Sequence, residues 1–165
     1  MDLNISRVHR LRLSLYAIIL LLVMLLIFFM SGKSGSDSQN MSDLFSDSFM
    51  GRLLAHILPP LTDNARTSIR KYAHIFEFFC LGLSSFLFFY ELFWTKQKRL
   101  LKTTISASLW SFLYACSDEW HQTFVPERAG RLSDLGFDAA GFLFGIVLLG
   151  IAVWLRSKRR DNVQL

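Results

Sequence analysis

Apolar residues gather along this chain in four long blocks, about 13–30, 74–94, 103–119 and 135–155, parted by stretches rich in charge and small polar groups. Hydrocarbon roughly 30 Å thick takes about 20 mostly apolar helical residues to cross, with about 17 as the lower limit, so each block is long enough for one span. A lone strand leaves its backbone unsatisfied in lipid, and none of the blocks alternates as a barrel strand does. The pattern predicts an all-α integral membrane bundle of four transmembrane helices. The first block also admits a signal-peptide reading, since Arg7, Arg10 and Arg12 precede it and Ser31 and Gly32 follow. Its apolar run of about 18 residues exceeds the usual core of roughly 7–15, which favours a retained span.

Between the first two blocks the pattern changes twice. Residues 31–43 are rich in Ser, Gly and Asp and read as a linker without periodicity. From Leu44, apolar residues recur at 44, 45, 49, 53, 54, 57 and 58 until Pro59 and Pro60 stop the pattern. That spacing gives one apolar face, so 31–62 reads as an outer linker followed by a short amphipathic helix, lying on the leaflet or covering the bundle. Thr62 or Asp63 then caps a helix running through Arg66, Arg70 and Lys71 into the second span.

Composition agrees with this picture: of 165 residues 52% are hydrophobic and only 19% charged, too apolar for an ordinary soluble domain. With no internal repeat, 1–165 reads as a single membrane domain. Charge adds orientation. With both termini in the cytoplasm, Arg7, Arg10, Arg12, Lys96, Lys98, Arg99, Lys102, Arg156, Lys158, Arg159 and Arg160 lie inside, eleven of the 18 Lys and Arg. The net charge of +5 thus reflects topology and attraction to anionic lipid, and no nucleic-acid partner is expected. Gly-Lys-Ser at 32–34 lacks the upstream glycine and the strand of a phosphate loop.

Small residues mark helix contacts. Ala107, Ser111 and Ala115 recur at steps of four in the third block and Gly141 and Gly145 in the fourth, which lets backbones approach closely, within the chain or between copies in a homo-oligomer. Cys80 and Cys116 fall inside spans and read as small apolar residues. Glu91, with Tyr90 and Trp94, reads as a residue of the inner rim.

The chemistry concentrates at one level. Lys71, His74 and Glu77 share a helix face at steps of three. The third span runs outward and delivers Asp118, Glu119, His121 and Gln122, while the fourth returns with Asp134 and Asp138 one turn apart. The connecting loop, Val125 to Arg131, adds Arg128, suited to a bidentate clamp on a carboxylate or phosphate. Six acids face three permanent cations at this mouth, so some acids must be protonated, exposed, paired with a histidine or matched by a bound cation.

Taken together, Arg-Lys-x-x-His-x-x-Glu at 70–77, Asp-Glu-x-His-Gln-x-Phe-Val-Pro-x-Arg at 118–128 and Asp-x-x-x-Asp-x-x-Gly-x-x-x-Gly at 134–145 resemble the VanZ-like membrane protein family. The resemblance covers roughly 64–150. It departs at Phe78, where the family often has Tyr, and at Glu127, where it often has Gly. It implies a characteristic polar set of Lys71, His74, Glu77, Asp118, Glu119, Gln122, Arg128, Asp134 and Asp138, and a place in the bacterial cytoplasmic membrane. The namesake is associated with low-level resistance to teicoplanin, a glycopeptide that acts at the outer membrane face on lipid-linked wall precursors.

Three functional readings stay open. The cluster binds an amphiphilic or lipid-linked envelope component, with Arg128 and Lys71 on an anionic headgroup. Alternatively, it forms an enzyme site, with His74 or His121 as general base and Glu77 or Asp118 as acid or orienter. In the third, it is a salt-bridged plug joining three helices. No cofactor is expected; a divalent cation, if held, would take Asp118, Glu119, Asp134 and Asp138 as its oxygen ligands. Membrane lipids are the expected partners.

Overall fold

The structure is a computed structural model that describes residues 2–57, 65–95, 97–128 and 130–163. Every regular element among these residues is helical: α1 (Asp2–Ser31), α2 (Gly35–Asp47), α3 (Phe49–Ile57), α4 (Ala65–Leu92), α5 (Arg99–Gln122) and α6 (Leu132–Val163). Three of the helices are long and apolar enough to cross a membrane, over Arg7–Ser31, Arg70–Leu92 and Ser133–Arg160. The Pro59-Pro60 stop, the Thr62 or Asp63 cap and Lys96 lie outside the described residues, as does the side chain of Arg66.

Helix α4 is the hub, packed against α1, α5 and α6, and α5 also meets α1 and α6. Its core residues Phe78, Leu81 and Phe86 are buried with Leu20 and Ile27 of α1, Ala107 and Ala115 of α5, and Phe142 and Ile146 of α6. The α4–α6 seam is close because glycines line it. A Cβ on Gly82 would run into the backbone of Phe142, one on Gly141 into the carbonyl of Ile75, and one on Gly145 would lie 2.7 Å from the carbonyl of Phe79. Of the two placements open to Gly141 and Gly145, the one within the chain is thus observed. Large apolar side chains point the other way: Leu15, Leu22 and Phe29 of α1 and Phe144, Val147 and Ile151 of α6 are exposed. Such an outward apolar surface is suited to lipid rather than water.

The stretch read as a linker is ordered differently from expectation, as most of it forms α2. Ser34 caps this helix, its Oγ accepting from the Asp37 amide at 3.1 Å, with the Asp37 carboxylate in the positive first turn. Ser48 separates α2 from α3: its amide donates to the Phe45 carbonyl at 3.0 Å and its Oγ accepts from the Gly51 amide at 3.0 Å. Capping of this kind leaves no trace in hydrophobic periodicity, hence the linker reading. The expected amphipathic helix is therefore divided between the end of α2 and α3. Leu44, Leu53 and Ile57 are exposed there, while Gly51 is buried.

Candidate functional site

The polar residues of α4, α5 and α6 meet at the end of the bundle closed by the 123–131 loop. On α4, Lys71 Nζ lies 3.8 Å from Asp134 Oδ1 and 4.3 Å from the centre of the Phe137 ring, tying α4 to the first turn of α6. One turn further in, His74 Nδ1 stands 3.9 Å from Glu77 Oε2 and 3.9 Å from Asp138 Oδ1. Both gaps exceed hydrogen-bond length, so the imidazole lies between two carboxylates without being committed to either. The side chain of Asp138 is 1% exposed and its Oδ2 has no hydrogen-bond partner among the described residues.

A second group gathers on α5. Asp118 Oδ2 accepts from Gln122 Nε2 at 2.8 Å, one turn along the same helix, and from Ser31 Oγ at 2.9 Å, at the end of α1. Two donors on one buried carboxylate oxygen fix the Asp118 rotamer and fasten α1 to α5. Glu119 Oε2 accepts from the Arg131 amide at 2.8 Å, anchoring the loop to α5. His121 is separate from His74: its ring stacks on Phe28 of α1 with centroids 4.4 Å apart, and its buried Nε2 has no hydrogen-bond partner among the described residues.

The loop brings in Arg128. Its guanidinium is half-buried, within electrostatic reach of Asp118, Glu77, Glu119 and Arg70, and its buried Nε has no hydrogen-bond partner among the described residues. Burial pulls its proton affinity below the ordinary arginine value and the neighbouring Arg70 charge acts the same way, while the carboxylates of Asp118, Glu77 and Glu119 oppose them. The loop is held from outside by α2. The Gly35 amide donates to the Pro126 carbonyl at 3.2 Å, and the Ser36 amide to Glu127 Oε2 at 2.9 Å. Glu127 has φ 60°, the left-handed region that favours glycine. The residue that departs from the family pattern thus sits in a glycine conformation and uses its carboxylate to bind α2. The other departure, Phe78, is fully buried in the core.

The structure therefore assembles Lys71 with Asp134; His74 with Glu77 and Asp138; and Asp118 with Gln122. Arg128 is electrostatically coupled to Glu77, Asp118 and Glu119. Among the described residues no group of three or more His, Cys, Asp or Glu is placed to hold a metal ion. Cys80 and Cys116 are unpaired, half-buried thiols. Chemically the arrangement offers a guanidinium with free donor capacity at the mouth and a histidine flanked by carboxylates beneath it.

Sequence reasoning missed two participants and misplaced a third residue. Ser31 is fully buried on Asp118, 87 positions away, and Arg70 adds a second guanidinium near the mouth. At the opposite end Glu91 is buried rather than at a rim, with Oε1 3.0 Å from His9 Nδ1 and Oε2 3.6 Å from Arg99 Nη2. Arg99 also lies over the Tyr90 and Trp94 rings, 3.4 and 4.8 Å from their centres. These partners come from α1 and α5, so Glu91 is a cross-brace of the bundle. The Arg-Lys pair at 70–71 was the one sequence signal available for Arg70.

Compared with known proteins, residues 16–153 match the model of the family described as VanZ/LLP1. No curated protein and no solved structure matches the chain.

Proposed function

The chain belongs to the VanZ/LLP1 family and is built as a membrane protein, and from that premise we propose that it binds an envelope amphiphile at the outer leaflet. The ligand is an amphiphilic or lipid-linked component of the bacterial envelope with an anionic headgroup, and its binding influences susceptibility to glycopeptides of the teicoplanin type. In this reading α5 is the fourth crossing. Its outward residues, Leu101, Ile105, Leu109 and Leu113, are exposed and apolar, whereas its buried stripe, Thr103, Ala107, Ser111, Ala115, Asp118 and Gln122, is small or polar. That inward stripe lowers the average hydropathy of a helix whose lipid-facing surface is as apolar as its neighbours'. Both termini then lie in the cytoplasm with most of the Lys and Arg, and the polar site faces outward from the cytoplasmic membrane.

The observation that carries the binding reading is Arg128, a half-buried guanidinium whose Nε has no hydrogen-bond partner and which forms no ion pair with the surrounding acids among the described residues. A phosphate or carboxylate headgroup supplies the acceptors it lacks. An enzymatic reading has one observation in its favour, His74 set between Glu77 and Asp138 at 3.9 Å from each, where a general base and an orienting acid would lie.

Asp118→Asn, Arg128→Ala and His74→Ala, each scored for teicoplanin susceptibility and for protein level in the membrane, test the proposal. Binding predicts variants that remain abundant and lose the phenotype. Abundance and phenotype falling together would make the cluster a structural plug, and abundant variants with full phenotype would remove both site readings.

A further inference from the structure

The headgroup reading accounts for Arg128 but leaves the acidic side of the cluster unanswered. Asp138 is almost wholly buried, and its Oδ2 lacks a donor. Its other oxygen and Glu77 Oε2 both face His74 Nδ1, at 3.9 Å each. One imidazole nitrogen offers at most one proton, so two carboxylates with several lone pairs face a shortage of donors. Leaving a buried carboxylate oxygen unmatched is costly, and native structures seldom do it without a reason.

The cationic side shows the converse shortage. Arg128 Nε lacks an acceptor among the described residues, and Arg70 stands close enough for the two guanidinium charges to repel. Apart from the pair of Lys71 with Asp134, acids and cations of the cluster are interleaved without closing into Lys or Arg ion pairs among the described residues. A purely anionic ligand would relieve Arg128 but set its charge against Glu77 and Asp118, which lie within electrostatic reach of the same guanidinium. A ligand of both signs answers both sides at once.

We propose that the ligand is zwitterionic: an amphiphile whose phosphate is taken by Arg128 and whose primary ammonium donates to Asp138 and Glu77. An ammonium has three N–H donors and no acceptor, matching two donor-poor carboxylates. Its charge, unlike that of a hydroxyl, offsets the acids it meets. This inference rests on the headgroup reading above and narrows it to a phosphate ester carrying a free amine.

The test uses the full chain in detergent, titrated with phosphatidylethanolamine, its mono- and dimethyl derivatives, phosphatidylcholine and phosphatidylglycerol, with bound lipid counted by native mass spectrometry. The methyl series keeps the positive charge while removing N–H donors one at a time. Hydrogen bonds between charged groups predict retention of phosphatidylethanolamine about tenfold above phosphatidylcholine, with a graded fall between them. Phosphatidylglycerol should also be retained less, because it has no cation. Asp138→Asn should abolish the preference for the amine, and Arg128→Gln should weaken every phosphate lipid. Equal retention of the amine, choline and glycerol lipids, with Arg128→Gln still damaging, overturns the zwitterion inference alone. Retention unaffected by Arg128→Gln overturns the headgroup reading itself. Free phosphoethanolamine should bind more weakly than the lipid, and equal affinity would overturn the amphiphilic part of the proposal. The methyl series needs no variant, so the inference is testable even where Asp138→Asn fails to fold.

Discussion

Replacing Glu127 separates two energies that act at one residue. Its backbone is held at φ 60°, which costs a side chain other than glycine about 1 kcal/mol. Its carboxylate accepts from the Ser36 amide at 2.9 Å in the first turn of α2. At an exposed position that bond contributes about 1 kcal/mol, and a negative charge at a helix N-terminus adds about 0.5 kcal/mol. Glu127→Ala keeps the strain and loses the bond, so the α2 docking weakens by about 1.5 kcal/mol. Glu127→Gly loses the same bond but releases the strain, for a net loss of about 0.5 kcal/mol. Hydrogen exchange of the 35–38 amides reads this docking directly, because local opening exposes them. Exchange should accelerate about tenfold in Glu127→Ala and roughly twofold in Glu127→Gly. Equal acceleration, or a larger effect in the glycine variant, would refute the assignment of strain and cap to this residue.

Two glycines of α6 should respond in opposite senses. Gly145→Ala places a methyl 2.7 Å from the Phe79 carbonyl, and overpacking of about 1–3 kcal/mol outweighs the roughly 1 kcal/mol gain in helix propensity. Gly136 has nothing within 4 Å of its would-be Cβ, so Gly136→Ala should stabilise by up to about 1 kcal/mol. Thermal unfolding in detergent followed by helical circular dichroism checks both, and shifts of the same sign would count against the close α4–α6 seam. At the opposite end, Glu91→Ala leaves Arg99 with its nearest acid removed and should cost about 3 kcal/mol in the same assay. Adding Arg99→Met should recover part of that loss; strictly additive losses would show the pair to be uncoupled.

Much of the architecture was legible because lipid imposes a simple code. The blocks around 13–30, 74–94 and 135–155 correspond to the three helices long and apolar enough to cross a membrane, and Gly141 and Gly145 line the contact that their spacing suggested. The polar cluster was legible for a related reason. Charged residues inside apolar segments are conspicuous, and a period of three or four fixes which of them share a face, as with Lys71, His74 and Glu77. What remained hidden was pairing at long range. Ser31 with Asp118, Ser36 with Glu127 and His9 with Glu91 are separated by 87, 91 and 82 positions. Nothing in local periodicity says that the end of α1 reaches Asp118, or that an N-terminal histidine covers a carboxylate at the far end of α4. Helix α2 was missed for a different reason, since its stability depends on caps and docking rather than on an apolar stripe. Glycine geometry at 127 was visible only as a departure from the family pattern until the backbone gave it a cause.

The central claim is that the polar cluster around Arg128 and His74 holds a ligand rather than merely joining helices. The most direct measurement incubates the purified full chain, and an Arg128→Gln variant of equal helical content, with a total lipid extract of a bacterial envelope and identifies by mass spectrometry what each retains or converts. Ligand binding at the cluster predicts a phosphate-bearing amphiphile enriched on the native chain and lost from the variant. Identical lipid profiles on the two proteins, at equal helical content, would contradict it.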